Sequence, residues 1–168
     1  MTVAVCPGSF DPVTVGHMDI INRASRIFDK VIVLVMANFN KTSIFSMEER
    51  VNLLNCAIEN GQSSNIVVDT FNGLLADYSK KVNATAIVKG LRAVSDFEYE
   101  FQMALTNQKL NPETETIFLT TSSQNMYLSS SLVKQIAMYD GDISDFVPAC
   151  ILKDVEAGLT RFYLKPQD

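Results

Sequence analysis

The chain has 168 residues, 47% of them apolar and 20% charged, which suits one domain with a sizeable core and excludes disorder. Fourteen basic and nineteen acidic side chains give a net charge of −5, which argues against a nucleic-acid binder with a broad basic surface but leaves room for a local basic pocket. Cys6, Cys56 and Cys150 are odd in number and far apart, and His17 is the only histidine; a disulfide framework and structural zinc are disfavoured, and the cysteines read as small buried hydrophobes in a reducing cytosol.

The opening MTVAVCPGSF lacks the basic and apolar regions of a signal peptide, and no run reaches a membrane span, so a cytoplasmic protein is expected. Residues 2–6 (TVAVC) read as a first strand. A helix over 17–28 follows, with Met18, Ile21, Ala24, Ile27 and Phe28 on one stripe. After a strand at 31–37 (VIVLVMA), Ser46 and Glu49 form a capping box that opens a helix over 46–60. Then come a strand at 65–71, a helix at 73–82 and a strand at 84–88. A helix over 96–110 carries Phe97, Phe101, Ala104 and Leu105 on its stripe, and a fifth strand takes 116–120. Helices at 130–139 and 148–158 complete the set, and the tail 160–168 is left open between surface packing and fraying.

Strands that read as continuous apolar runs, alternating with amphipathic helices, predict an α/β fold. The expected form is a Rossmann-like, doubly wound, five-stranded parallel sheet with helices on both faces and right-handed crossovers, in one domain over residues 1–168. Ligands of such sheets bind at the carboxyl ends of the strands, near the switch point.

The loops at those ends carry the unusual residues. In PGSFDPVTVGH, Gly8 lets a ligand approach the backbone of Ser9 and Phe10, and His17 sits at a helix start whose orphan N–H groups favour an anion. It is neither a dinucleotide fingerprint nor a P-loop. Lys41 lies in the second such loop, and the fourth brings Lys89, Gly90 and Arg92 together. The run Ser129, Ser130 and Ser131 reads equally as an N-cap with spare hydroxyls or as donors to phosphates. A lone imidazole gives no nucleophilic triad, so the set suits phosphates, whose transfer needs positioning and charge stabilisation more than a protein nucleophile.

PGSFDPVTVGH resembles the first motif of the [T/H]-x-G-H nucleotidyltransferase superfamily, and LSSSLVK resembles its second, I-S-S-S-x-V-K. GLRAVSDFEYE narrows the resemblance to the bacterial phosphopantetheine adenylyltransferases. The resemblance implies adenylyl transfer from ATP to 4′-phosphopantetheine, giving dephospho-CoA and pyrophosphate in coenzyme A biosynthesis. It implies His17, Lys41 and Arg92 as catalytic residues. ATP would be bound by Gly8, Ser9, Phe10, His17, Gly90, Arg92 and Glu100, and by Tyr127, Leu128, Ser129, Ser130 and Ser131. Ser9, Lys41, Leu74 and Lys89 would bind the acceptor. Mg²⁺ held mainly by the ATP phosphates, feedback binding of coenzyme A and a homohexamer are implied in the same way, with no protein metal ligand, nucleic acid or membrane.

Two positions depart from the family pattern. Ser9 stands where threonine is common and loses a rotamer-restricting methyl; Lys89 stands where arginine is expected and cannot supply a bidentate fork. The competing readings are another adenylyltransferase of the superfamily, for example one acting on nicotinate mononucleotide, and a nucleotide-binding regulator without turnover.

Overall fold

The computed structural model describes residues 1–37, 42–61, 63–92 and 94–163. Among them five strands alternate with helices: β1 (Val3–Gly8), α1 (Val15–Ser25), β2 (Lys30–Met36), α2 (Met47–Glu59), β3 (Ile66–Phe71), α3 (Leu75–Lys81), β4 (Ala86–Leu91), α4 (Val94–Leu110) and β5 (Glu115–Thr120). Helices α5 (Ser130–Met138) and α6 (Leu152–Tyr163) follow. All strand pairs are parallel, in the order β3-β2-β1-β4-β5.

The period of two along each strand divides the core between the faces of the sheet. Ala4, Cys6, Val31, Val33, Ala86 and Val88 join one buried cluster with Ile21 of α1, Leu54 of α2, Val133 of α5 and Leu159 of α6. Val3, Val5, Ile32 and Leu34 point the other way and pack with Tyr78 of α3 and Ala84. Central strands covered on both sides need apolar residues at every position, hence the unbroken runs in β1 and β2. The edge strands β3 and β5 expose several positions instead.

Several element ends differ from the sequence expectation. β1 runs past Cys6 to Gly8, and β4 past Val88 to Leu91, because Gly8 pairs with Val35 and Leu91 with Thr120. A partner strand carries these residues where local propensity reads a loop. Helix α1 starts at Val15 and stops at Ser25, leaving Ile27 exposed rather than on the apolar stripe. Helix α6 continues to Tyr163, so the first four residues of the expected tail are helical, while 164–168 lie outside the described residues. Of the cysteines only Cys6 is fully buried, its thiol pushed up to about 12 by burial; Cys56 is half-buried and Cys150 exposed, against expectation.

Candidate active site

Strand order reverses beside β1, whose neighbours are β2 and β4, and a cleft of about 530 Å³ lies at the carboxyl ends of β1 and β4. That is the switch point, where adjacent crossovers diverge and leave a gap. Gly8, Ser9, Phe10 and His17 line one side, Lys89, Gly90, Arg92 and Glu100 another, and Leu128 with Ser129, Ser130 and Ser131 the third. Twelve of the expected site residues thus meet in one cleft although they come from three distant segments.

The first wall is shaped by Phe10. Its backbone is in the left-handed region (φ 47°), unusual for a bulky residue, and its side chain is 4% exposed. The ring folds back so closely that a Cβ on Gly8 would lie 2.9 Å from Phe10 Cζ. The bare α-carbon of Gly8 is therefore needed for packing. The same ring meets the His17 imidazole edge-on, with centroids 5.2 Å apart.

His17 is placed by a capping box. Thr14 is the N-cap of α1, its hydroxyl accepting from His17 N, while Thr14 N donates to His17 Nδ1 at 3.0 Å. The imidazole takes the role that Glu or Gln usually plays at the third helical position. Because a backbone N–H can only donate, Nδ1 is the unprotonated nitrogen and the neutral ring carries its proton on Nε2. Burial, reinforced by the Arg92 guanidinium, pushes the His17 pKa down to about 4. At neutral pH the cleft therefore holds an uncharged imidazole that donates from Nε2.

On the β4 side, Arg92 donates to Leu128 O at 2.9 Å, joining the β4 loop to the loop before α5. Lys89 lies in the strand, not in a loop, and its ammonium is 3.2 Å from Glu100 Oε2. Lys89 also donates to Glu100 Oε1 at 3.5 Å, so the carboxylate is held against the ammonium at the cleft wall. Gly90 is required by packing, since a Cβ there would come 2.9 Å from Ile20 Cγ1 of α1.

On the third wall Ser129 is the N-cap of α5, its hydroxyl accepting from Leu132 N, and Ser130 donates to Pro12 O at 2.7 Å. Two of the three serine hydroxyls are thus engaged, and the first-turn N–H groups of α5 remain the natural anion donors.

Three expected residues stand apart. Lys41 lies outside the described residues. Leu74, the exposed N-cap of α3, follows the edge strand β3 and does not line this cleft. Tyr127 is also exposed and outside the lining, its ring edge-on to Phe146. Conversely Thr14, Ile20, Tyr99, Thr121 and Asn125 line the cleft without having been singled out. Only Thr14 carried a local signal, the T-x-x-H spacing of an N-terminal cap.

Residues 5–136 match the cytidylyltransferase-like family. A phosphopantetheine adenylyltransferase of Alkaliphilus metalliredigens is 59% identical over 153 residues, covering 91% of this chain and 96% of its own. One from Caldanaerobacter subterraneus is 60% identical over 148 residues, covering 88% and 91%. Among solved structures, Plasmodium falciparum nicotinic acid mononucleotide adenylyltransferase complexed with NaAD superposes with a TM-score of 0.71 at 18% identity, over 98% of this chain and 99% of that one. At that identity the likeness speaks for the fold, whereas the first two relatives speak for the family. At 59% and 60% identity over most of both chains, and with the family model matched over residues 5–136, the chain belongs to the phosphopantetheine adenylyltransferase family of nucleotidyltransferases.

Proposed function

We propose that the chain transfers the adenylyl group of ATP to 4′-phosphopantetheine, forming dephospho-CoA and pyrophosphate. The observation that carries this reading is the convergence of a neutral, donating His17, the Arg92 guanidinium and the N-terminus of α5 on one cleft at the switch point. These groups are donors and cations, which suits a polyphosphate and offers no general base.

None is needed. The acceptor phosphate is itself the nucleophile: one of its oxygens attacks the α-phosphorus in line, and the bond from that phosphorus to the oxygen linking it to the β-phosphorus breaks, that oxygen leaving with its electron pair on pyrophosphate. His17 Nε2–H, Arg92 and Lys41 are assigned to the charge that grows on the α-phosphoryl oxygens and the leaving group. The β- and γ-phosphates are assigned to the α5 N-terminus, and the Glu100 carboxylate to a donor of the nucleoside. Leu74 and Lys89 are assigned to the acceptor, and Tyr127 with Leu128 to the adenine side.

Among the described residues no cluster of three or more His, Cys, Asp or Glu can hold a metal, and Glu100 is the one carboxylate in the cleft lining. Mg²⁺ carried mainly by the ATP phosphates would supply charge neutralisation in this cleft. Coenzyme A, which shares the pantetheine arm with the acceptor, is proposed as a feedback ligand, and a cytoplasmic location is proposed with it. No helix among the described residues is long and apolar enough to cross a membrane. The proposed homohexamer is supported by Phe97, Phe101, Leu105 and Leu110, large apolar side chains of α4 that are exposed among the described residues.

The test is turnover. Purified protein with Mg-ATP and 4′-phosphopantetheine should release pyrophosphate and form dephospho-CoA. Turnover with nicotinate mononucleotide and none with 4′-phosphopantetheine would overturn the assignment.

A further inference from the structure

The second sequence motif ends in Lys134, and the first contains Asp11, yet neither has a part in the chemistry above. Asp11 is 4% exposed. Its Oδ2 accepts from Lys134 Nζ at 2.9 Å, and its Oδ1 accepts from Phe45 N at 2.9 Å and Ile44 N at 3.1 Å. The Lys134 side chain is 17% exposed and does not line the cleft, and its ammonium is committed to the carboxylate rather than aimed at a ligand. A second tie runs parallel to the first: Ser130 Oγ donates to Pro12 O at 2.7 Å. Both join the loop that carries Ser9 and Phe10 to the helix that opens on Ser129, Ser130 and Ser131. On its far side the same loop is held by Arg50, which donates to Ser9 O at 2.8 Å.

We propose that Asp11 and Lys134 are positioning residues that set the spacing between the two walls receiving the ATP phosphates. A buried ion pair adds little net stability over a well-packed apolar pair, and its best-attested use is to fix one geometry among several. Here the two charges are 123 residues apart in sequence and meet directly behind the cleft. If the pair is released, the α5 N–H groups shift relative to His17 and the loop backbone. Misplacement by about 1 Å is enough for losses near 100-fold. Lys134 therefore acts through α5 and is not a phosphate ligand.

The proposal rests on the adenylyl-transfer reading, and the experiment separates the two. Asp11→Asn, Lys134→Met and the charge-neutral double variant are compared with the parent protein. Binding of an α,β-methylene ATP analogue is measured by calorimetry, and kcat and both KM values by pyrophosphate release. Each folded variant should bind the analogue roughly 10- to 100-fold more weakly. The double variant should be no worse than Lys134→Met, because the pair acts as one unit. Lys134→Met should raise KM for ATP while leaving KM for the acceptor within about two-fold. Should the single variants fail to fold, the double variant decides the matter. Parent-like analogue affinity in it, with or without a lowered melting temperature, would overturn the proposal. Losses that multiply in the double variant would make Lys134 a direct phosphate ligand and overturn it equally. A parent protein that binds the analogue but turns over no 4′-phosphopantetheine would instead sink the functional reading, and the calorimetric comparison would still judge the pair.

Discussion

His17→Gln separates the chemical role of the imidazole from its structural one. Glutamine at the third helical position can still reach back to the Thr14 N–H, preserving the capping box that His17 Nδ1 now completes. What the fold loses is the edge contact with Phe10, about 0.5–1.5 kcal/mol. What the reaction loses is the Nε2–H donor, about 2.7–4 kcal/mol of transition-state stabilisation, or roughly 10²–10³ in kcat. Urea denaturation and steady-state pyrophosphate release on the same preparations should therefore show a stability loss near 1 kcal/mol beside a far larger fall in rate. A pH series adds an independent check. The folded His17 has its pKa lowered from 6.5 to about 4, so between those values the unfolded chain binds the proton first. Stability of the parent protein should accordingly fall as pH drops from about 6.5 towards 4. At about 1.4 kcal/mol for each pH unit the ceiling is ~3 kcal/mol, discounted because the ring is partly exposed at the cleft. The Gln variant should lack this share of the slope, narrowing the gap in stability at low pH. Equal losses of stability and of activation free energy, or an unchanged pH slope in the variant, would refute the reasoning and leave His17 as a cap alone.

Gly90→Ala places a methyl 2.9 Å from Ile20 Cγ1, so the Ile20 side chain of α1 must give way. A stability loss of about 1–3 kcal/mol is expected by denaturation, with a fall in kcat because α1 carries His17; parent-like values for both would show that the close approach is dispensable. Replacing the exposed Phe101 and Leu105 of α4 by Glu and Lys should reduce the sedimenting mass while leaving the melting transition cooperative. An unchanged mass would place any subunit contact elsewhere.

Much of this protein was legible in its sequence because the signals are local. The unbroken apolar run of β2, the Ser46–Glu49 capping box and the alternation of element types each follow from nearest-neighbour physics, and together they predicted a parallel sheet with its site at the strand ends. That His17, Arg92 and the three serines stand at the strand ends, where they line one cleft, was legible for the same reason, while the serines read equally as a cap or as phosphate donors. The ends of β1 and β4 were not, since Pro7, Gly8, Lys89 and Gly90 read as loop until a partner strand supplies their pairing. Composition alone could not show that Gly8 and Gly90 are bare because Phe10 and Ile20 press on them. Nor could it reveal which nitrogen of His17 holds the proton, a matter decided by a single backbone N–H. The bond between Asp11 and Lys134 lay equally beyond reach. Element type depends on residues a few positions apart, whereas protonation, spacing and charge pairing depend on which atoms face one another across the chain, and folding alone brings those together.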